Sequence, residues 1–120
     1  MTAAMPWFDP GALIWLGPTL GVLEALWGGV IGLLSHALVR KGRGRGVVYG
    51  HLYAGLAVAI AFLTAGAAAR ASGQPPAIYA TLLAGGGPLL VAAALSLVSV
   101  ARAYRLIELH RMAALDSQRL

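Results

Sequence analysis

The sequence predicts an all-α integral membrane chain: three transmembrane helices, a short N-terminal interfacial segment and a cytoplasmic C-terminal helical extension. Three observations predict it. Apolar residues make up 59% of the 120 residues and charged residues 11%, where soluble domains carry about a quarter charged. A soluble fold this small leaves too much surface in water to hide so much apolar area. Three runs reach the length of about 20 residues that crosses a hydrocarbon core of about 30 Å. The cations, finally, stand just beyond the ends of those runs. All of this fits a single membrane domain, residues 1–120.

The stretch "MPWFDPGALIWLGP" precedes the first run. Trp7, Phe8 and Trp15 suit a headgroup belt, and Pro10 and Pro18 start or break helices. The expectation is an interfacial segment, Gly11 to Gly17, feeding a span at Pro18; one long kinked helix is the alternative. The spans themselves are residues 19–39, 47–69 and 78–101, followed by a tail, 102–120. Each must be helical, because an open strand cannot satisfy its backbone in lipid. No secretory leader is expected, since the first 39 residues lack Lys and Arg. Nor is a lipid anchor, because position 2 is Thr and cysteine is missing.

Charge sets the orientation. Arg40, Lys41, Arg43 and Arg45 fill the 40–46 loop, and Arg102, Arg105, Arg111 and Arg119 mark the tail, against Arg70 alone in the 70–77 loop. Cytoplasmic loops carry the positive excess. The N-terminus is therefore expected outside and the C-terminus in the cytoplasm, with the protein multi-pass in the cell inner membrane. The loop "RKGRGRG" lacks the spacing of a nucleotide-binding loop, so its cations are read as an insertion signal in contact with anionic lipid. No nucleic-acid partner is expected.

Small residues gather along two helix faces at about 100° per residue. Gly21, Ala25, Gly28, Gly32 and Ser35 do so in the first span, and Gly50, Ala54, Ala57 and Ala61 in the second. Leu52, Leu56 and Leu63 lie off the second stripe, with lipid a possible neighbour. Small stripes let helix backbones approach where no hydrophobic drive separates helix from lipid. They offer more packing surface than one chain can use, which points to a homo-oligomer or a subunit of a larger membrane complex. Pro88, in "AGGGPLL" of the third span, removes a backbone hydrogen bond and is expected to kink or break that helix.

Glu24 is the only acidic residue inside a span. Intramembrane acids are candidates for an ion or proton site; the plainer reading is a carboxyl that locks helices together. His36 and His51 flank the basic loop at similar depth and form a candidate cofactor pair. Interfacial histidines are common, however, and a third ligand is lacking, so neither a bound cofactor nor a metal is expected. In the tail, Glu108 can meet Arg105 or Arg111, and Leu106, Leu109 and Ala113 form an apolar stripe for the membrane or a partner.

With the spans placed, "WGGVIGLLSHALVRKGRGRGVVYG" and "RAYRLIELHRMAALD" resemble a group of small bacterial three-span membrane proteins over about residues 13 to 116. That group has a Gly-rich first helix, a basic Gly loop and an Arg/Glu-rich tail. The resemblance implies no activity and no site residues. An enzyme is not expected, for want of a nucleophile triad, a carboxylate pair or a nucleotide fingerprint. The expected role is an oligomeric or accessory structural subunit of a membrane complex. The alternative is an oligomeric pore or channel, including a holin-like hole former.

Overall fold

The computed structural model describes residues 5–119, and every regular element among them is helical. The first helix, α1, runs Pro10–Leu34 and ends in a wide π turn, Ser35–Val39; α2 is Arg45–Ala71 and α3 is Pro76–Arg119. Three helices are thus long and apolar enough to cross a membrane, consistent with a multi-pass membrane protein.

The α1 boundary differs from the expectation. Asp9 caps the helix, its Oδ1 accepting from the Gly11 N–H at 3.4 Å, and α1 continues through Pro18 without restarting there. A proline costs one backbone bond, but its fixed φ is already helical, so an otherwise regular apolar helix passes through it. The third helix likewise continues through Pro88. At 44 residues and 1.5 Å each, α3 is about 66 Å long, twice a hydrocarbon core. Its last residues, 108–119, are exposed throughout. The molecule is correspondingly a rod, 81 × 23 × 16 Å.

Helices α2 and α3 form the main antiparallel pair. Buried positions on α2 are Val48, Leu52, Gly55, Ala59, Gly66 and Ala69; with half-buried Phe62 they alternate in steps of four and three. On α3 the series Ile78, Leu82, Gly85, Leu89 and Ala93 steps by four, three, four and four, and Val100 and Tyr104 follow on the same face. This is the spacing of a packed helix face, on which Gly55 and Gly85 meet α1 and the other positions lie nearer the pair's own contact. Gly86 brings the helices closest: a Cβ there would stand 3.0 Å from the Ala59 carbonyl oxygen and 3.0 Å from the Leu63 nitrogen.

The small stripe of α2 lies outside this seam of buried positions. Leu52 is fully buried and Leu56 and Leu63 are half-buried, whereas Gly50, Ala54, Ala57 and Ala61 are exposed. Lipid tails are as apolar as leucine, so size alone does not turn a side chain outward. A seam that sets large against small interdigitates; a face of small residues only leaves gaps against a straight neighbour.

Helix α1 rests more loosely on this pair. Ile31 is its only buried residue among those described, while Val22, Leu26 and Leu33 are each more than half exposed. Gly21, Gly28 and Gly32 are exposed too, with no heavy atom within 4 Å of where their Cβ would be.

The two ends are tied differently. At one end Gln74, buried in the α2–α3 turn, accepts from the Trp7 N–H at 2.8 Å and donates to the Met5 carbonyl at 3.0 Å. The N-terminal segment is thereby fixed beside the 72–75 turn. At the other end the basic loop folds onto α3. The Tyr104 hydroxyl donates to the Arg43 carbonyl at 2.9 Å. Arg111, an expected partner of Glu108, donates instead to the Lys41 carbonyl at 3.2 Å. Gly42 and Gly44 turn the chain with φ of 62° and 65°, the left-handed region where a side chain is strained. Burial pushes the Tyr104 phenol up, with Tyr49 adding and the Arg45 cation opposing, so the hydroxyl keeps its donor proton. Tyr104→Phe should cost about 0.5–1.5 kcal/mol, the net worth of one hydrogen bond. Amide exchange across residues 41–46 should quicken; unchanged protection there would show that Tyr104 does not hold the loop.

Candidate functional site

A cleft of about 260 Å³ opens between α1 and α2 within the apolar spans, lined by Leu20, Leu23, Glu24, Trp27, His51, Ala54, Gly55, Val58, Phe62 and Leu89. One glycine shapes its wall, and a second lies behind Glu24. Gly55 admits the Trp27 indole: a Cβ there would overlap the ring, with Cε2 at 2.6 Å. Gly85 makes room beneath Glu24, whose Oε1 would lie 3.7 Å from an added Cβ. The "AGGGP" stretch of α3 is thus explained in part by contact, Gly86 against α2 and Gly85 against Leu20 and Glu24 of α1.

Glu24 and Trp27 sit three residues apart and so share one helix face. Trp27 stacks on His51 of α2, ring centroids 5.4 Å apart and planes within 12°. Three polar atoms of these residues are buried with no hydrogen-bond partner among the described residues: Glu24 Oε1, which lies towards Gly85 of α3, Trp27 Nε1 and His51 Nε2. Glu24 also borders a smaller cavity of about 230 Å³, with Gly21, Thr81 and Gly85 among its walls. Buried polar groups are paired in the great majority of cases, so three unpaired atoms on residues that line one cleft single it out from the rest of the molecule.

The expected site residues fall out as follows. Glu24 faces protein, half-buried against α3. His51 lines the cleft, but its ring partner is Trp27; His36 stands exposed on the π turn and lines none of the cavities described. Ala54 lines the cleft from an exposed position. Arg40, Lys41, Arg43 and Arg45 are all exposed, and the Arg45 guanidinium lies over the Tyr104 and Tyr49 rings, 5.5 and 5.8 Å from their centroids. Trp27, Gly55 and Gly85 were not anticipated as site residues. Trp27 had a legible signal: tryptophan favours membrane interfaces, yet this one lies mid-span, one turn after the only intramembrane acid.

These features define a class, a three-helix chain of the multi-pass membrane type with an aromatic and acidic cleft beside its first helix. No protein-family model, curated protein or solved structure matches the chain, so its functional reading rests on the residues themselves.

Proposed function

We propose that the chain is an accessory or oligomeric structural subunit of a membrane complex, associating through the open groove of about 560 Å³ that Gly28 and Gly32 of α1 line together with Ala92, Ser96 and Ser99 of α3. The observation that carries this is the open space in front of Gly21, Gly28 and Gly32. Small-xxx-small faces are where helices approach closely in lipid, through dispersion contacts and not by hydrophobic drive. The partner helix is a second copy or another subunit.

In this reading the protein lies in the cell inner membrane with its N-terminus outside. The exposed Trp7, Phe8 and Trp15 then sit at the outer headgroup level. The 40–46 cations meet anionic lipid on the inner side, and the end of α3 stands in the cytoplasm. The other reading, an oligomeric pore, draws on Glu24 beside two cavities; ion flux in liposomes that is lost in Glu24→Gln would favour it.

The test begins with cysteine replacements, for the chain has no native cysteine to interfere. A cysteine at position 28 should cross-link in native membranes under mild oxidation, to itself or to a partner band. The paired change Gly28→Leu and Gly32→Leu should weaken association about tenfold or more, one good packing contact being worth about 1 kcal/mol or above. Release of a lone chain in mild detergent, with no cross-link at 21, 28 or 32, would refute the reading.

A further inference from the structure

We infer that the Glu24–Trp27–His51 cleft binds the ring headgroup of a lipid-soluble quinone or quinol. The cleft is built within one chain, so this does not rest on the association reading.

Its walls and its orphaned atoms constrain the occupant together. The Trp27 Nε1–H can only donate, so the occupant must offer a lone pair. Glu24 Oε1 accepts, or donates when protonated, and His51 Nε2 does either according to tautomer. A lipophilic ammonium answers Glu24 but has no lone pair for Trp27. An acyl chain answers none of the three. A carboxylate or phosphate would bring a second anion against Glu24, with no Lys or Arg lining the cleft to offset it. Water answers the polar atoms but leaves Leu20, Leu23, Val58, Phe62 and Leu89 without contact.

A quinone satisfies both sides. Its ring oxygen accepts from Trp27, and the hydroxyl of the reduced form donates to Glu24 or His51. Its flat ring meets the aromatic wall formed by Trp27 stacked on His51. The size agrees. An apolar cavity of about 150 Å³ takes a benzene ring, and drug-sized pockets begin at about 300 Å³; 260 Å³ fits one substituted ring. Leu23 and Val58 on the rim remain 56% and 47% exposed, which leaves a way out into lipid for an alkyl tail.

The test uses the full chain carrying Trp7→Phe and Trp15→Phe, so that Trp27 alone reports, in phosphatidylcholine nanodiscs. Decyl-benzoquinone, a quencher of indole emission, is titrated in. Quenching should saturate, and Ala54→Phe, which fills the cleft from its rim, should reduce the saturable part about tenfold or more. His51→Ala should raise the midpoint about tenfold, as expected for a lost hydrogen bond and stack. Val58→Phe, at another rim position, should act like Ala54→Phe, which guards against misfolding of either variant. Decylammonium should not displace the quinone. Quenching that rises linearly with the quinone-to-lipid ratio and is unaltered by both rim variants would reduce the effect to membrane partition and overturn the proposal. Displacement by decylammonium would overturn the ligand class.

Discussion

Replacing Gly86 by leucine is expected to part α2 from α3. The glycine faces atoms that cannot swing aside: an added Cβ would meet the Ala59 carbonyl oxygen and the Leu63 nitrogen, both at 3.0 Å, as well as Leu63 Cγ at 2.9 Å. Overpacking a well-filled contact by a methylene or so costs about 1–3 kcal/mol, and leucine adds several carbons against backbone. In lipid this loss has no hydrophobic compensation, since the separated faces are wetted by acyl chains as apolar as themselves. Spin labels on the lipid faces of α2 and α3 should move apart, and the unfolding midpoint in detergent should fall. The neighbouring Gly87→Leu supplies the control, because nothing lies within 4 Å of its missing Cβ. If the two variants behave alike, the close approach at Gly86 is not what joins the pair.

Gly55→Leu should act on a different joint. Here the added carbons meet the Trp27 ring, which is a side chain and can be pushed away. The expected outcome is eviction of the indole and loosening of α1, with the α2–α3 pair left intact. Losing the Trp27–His51 stack alone is worth about 0.5–1.5 kcal/mol. Helix α1 meets the pair through few side chains, among them Leu13, Leu20, Trp27, Ile31 and Leu34, so the loss of one stack should be felt along it. Trp27 emission, isolated in the Trp7→Phe, Trp15→Phe background, should fall in steady-state anisotropy as the ring leaves its seat on Gly55 and His51, while the α2–α3 label distance stays as in the parent. A shift in that distance, or an unchanged Trp27 anisotropy, would contradict this division of roles.

The helices themselves were legible in the sequence. Hydrocarbon thickness fixes how long an apolar run must be, and residues 19–39, 47–69 and 78–101 each fall within one helical stretch. The helix ends were less so. Pro18 reads as a boundary by the cost of a missing donor, but that cost is one hydrogen bond set against a continuous apolar helix.

Which face of α2 meets α3 was not legible from its small residues, for a physical reason. Attention to small residues picks out Gly50, Ala54, Ala57 and Ala61, whereas the packed seam mixes sizes, with Leu52 beside Gly55 and Leu63 against Gly86. The alternating steps of four and three from Val48 to Ala69 were present to be read. Part of the cleft was visible too, since Glu24 and His51 stand out by type. Their meeting through Trp27 was not, because it depends on a glycine of α2 lying opposite a tryptophan of α1, a pairing between helices that no single-helix pattern records. Gln74 had no signal at all; a polar residue in a turn looks the same whether it clamps a distant backbone or faces water.

The length of α3 has a mechanical consequence. Gly85, which cradles the Glu24 carboxyl, and Arg119 belong to one uninterrupted helix, and at 1.5 Å per residue they stand about 50 Å apart along its axis. Pro88, which donates no bond to the Ala84 carbonyl, stands three residues beyond that cradle. A displacement of the projecting end therefore acts through a long arm: it is carried along one helix to the floor under Glu24, about nine turns away.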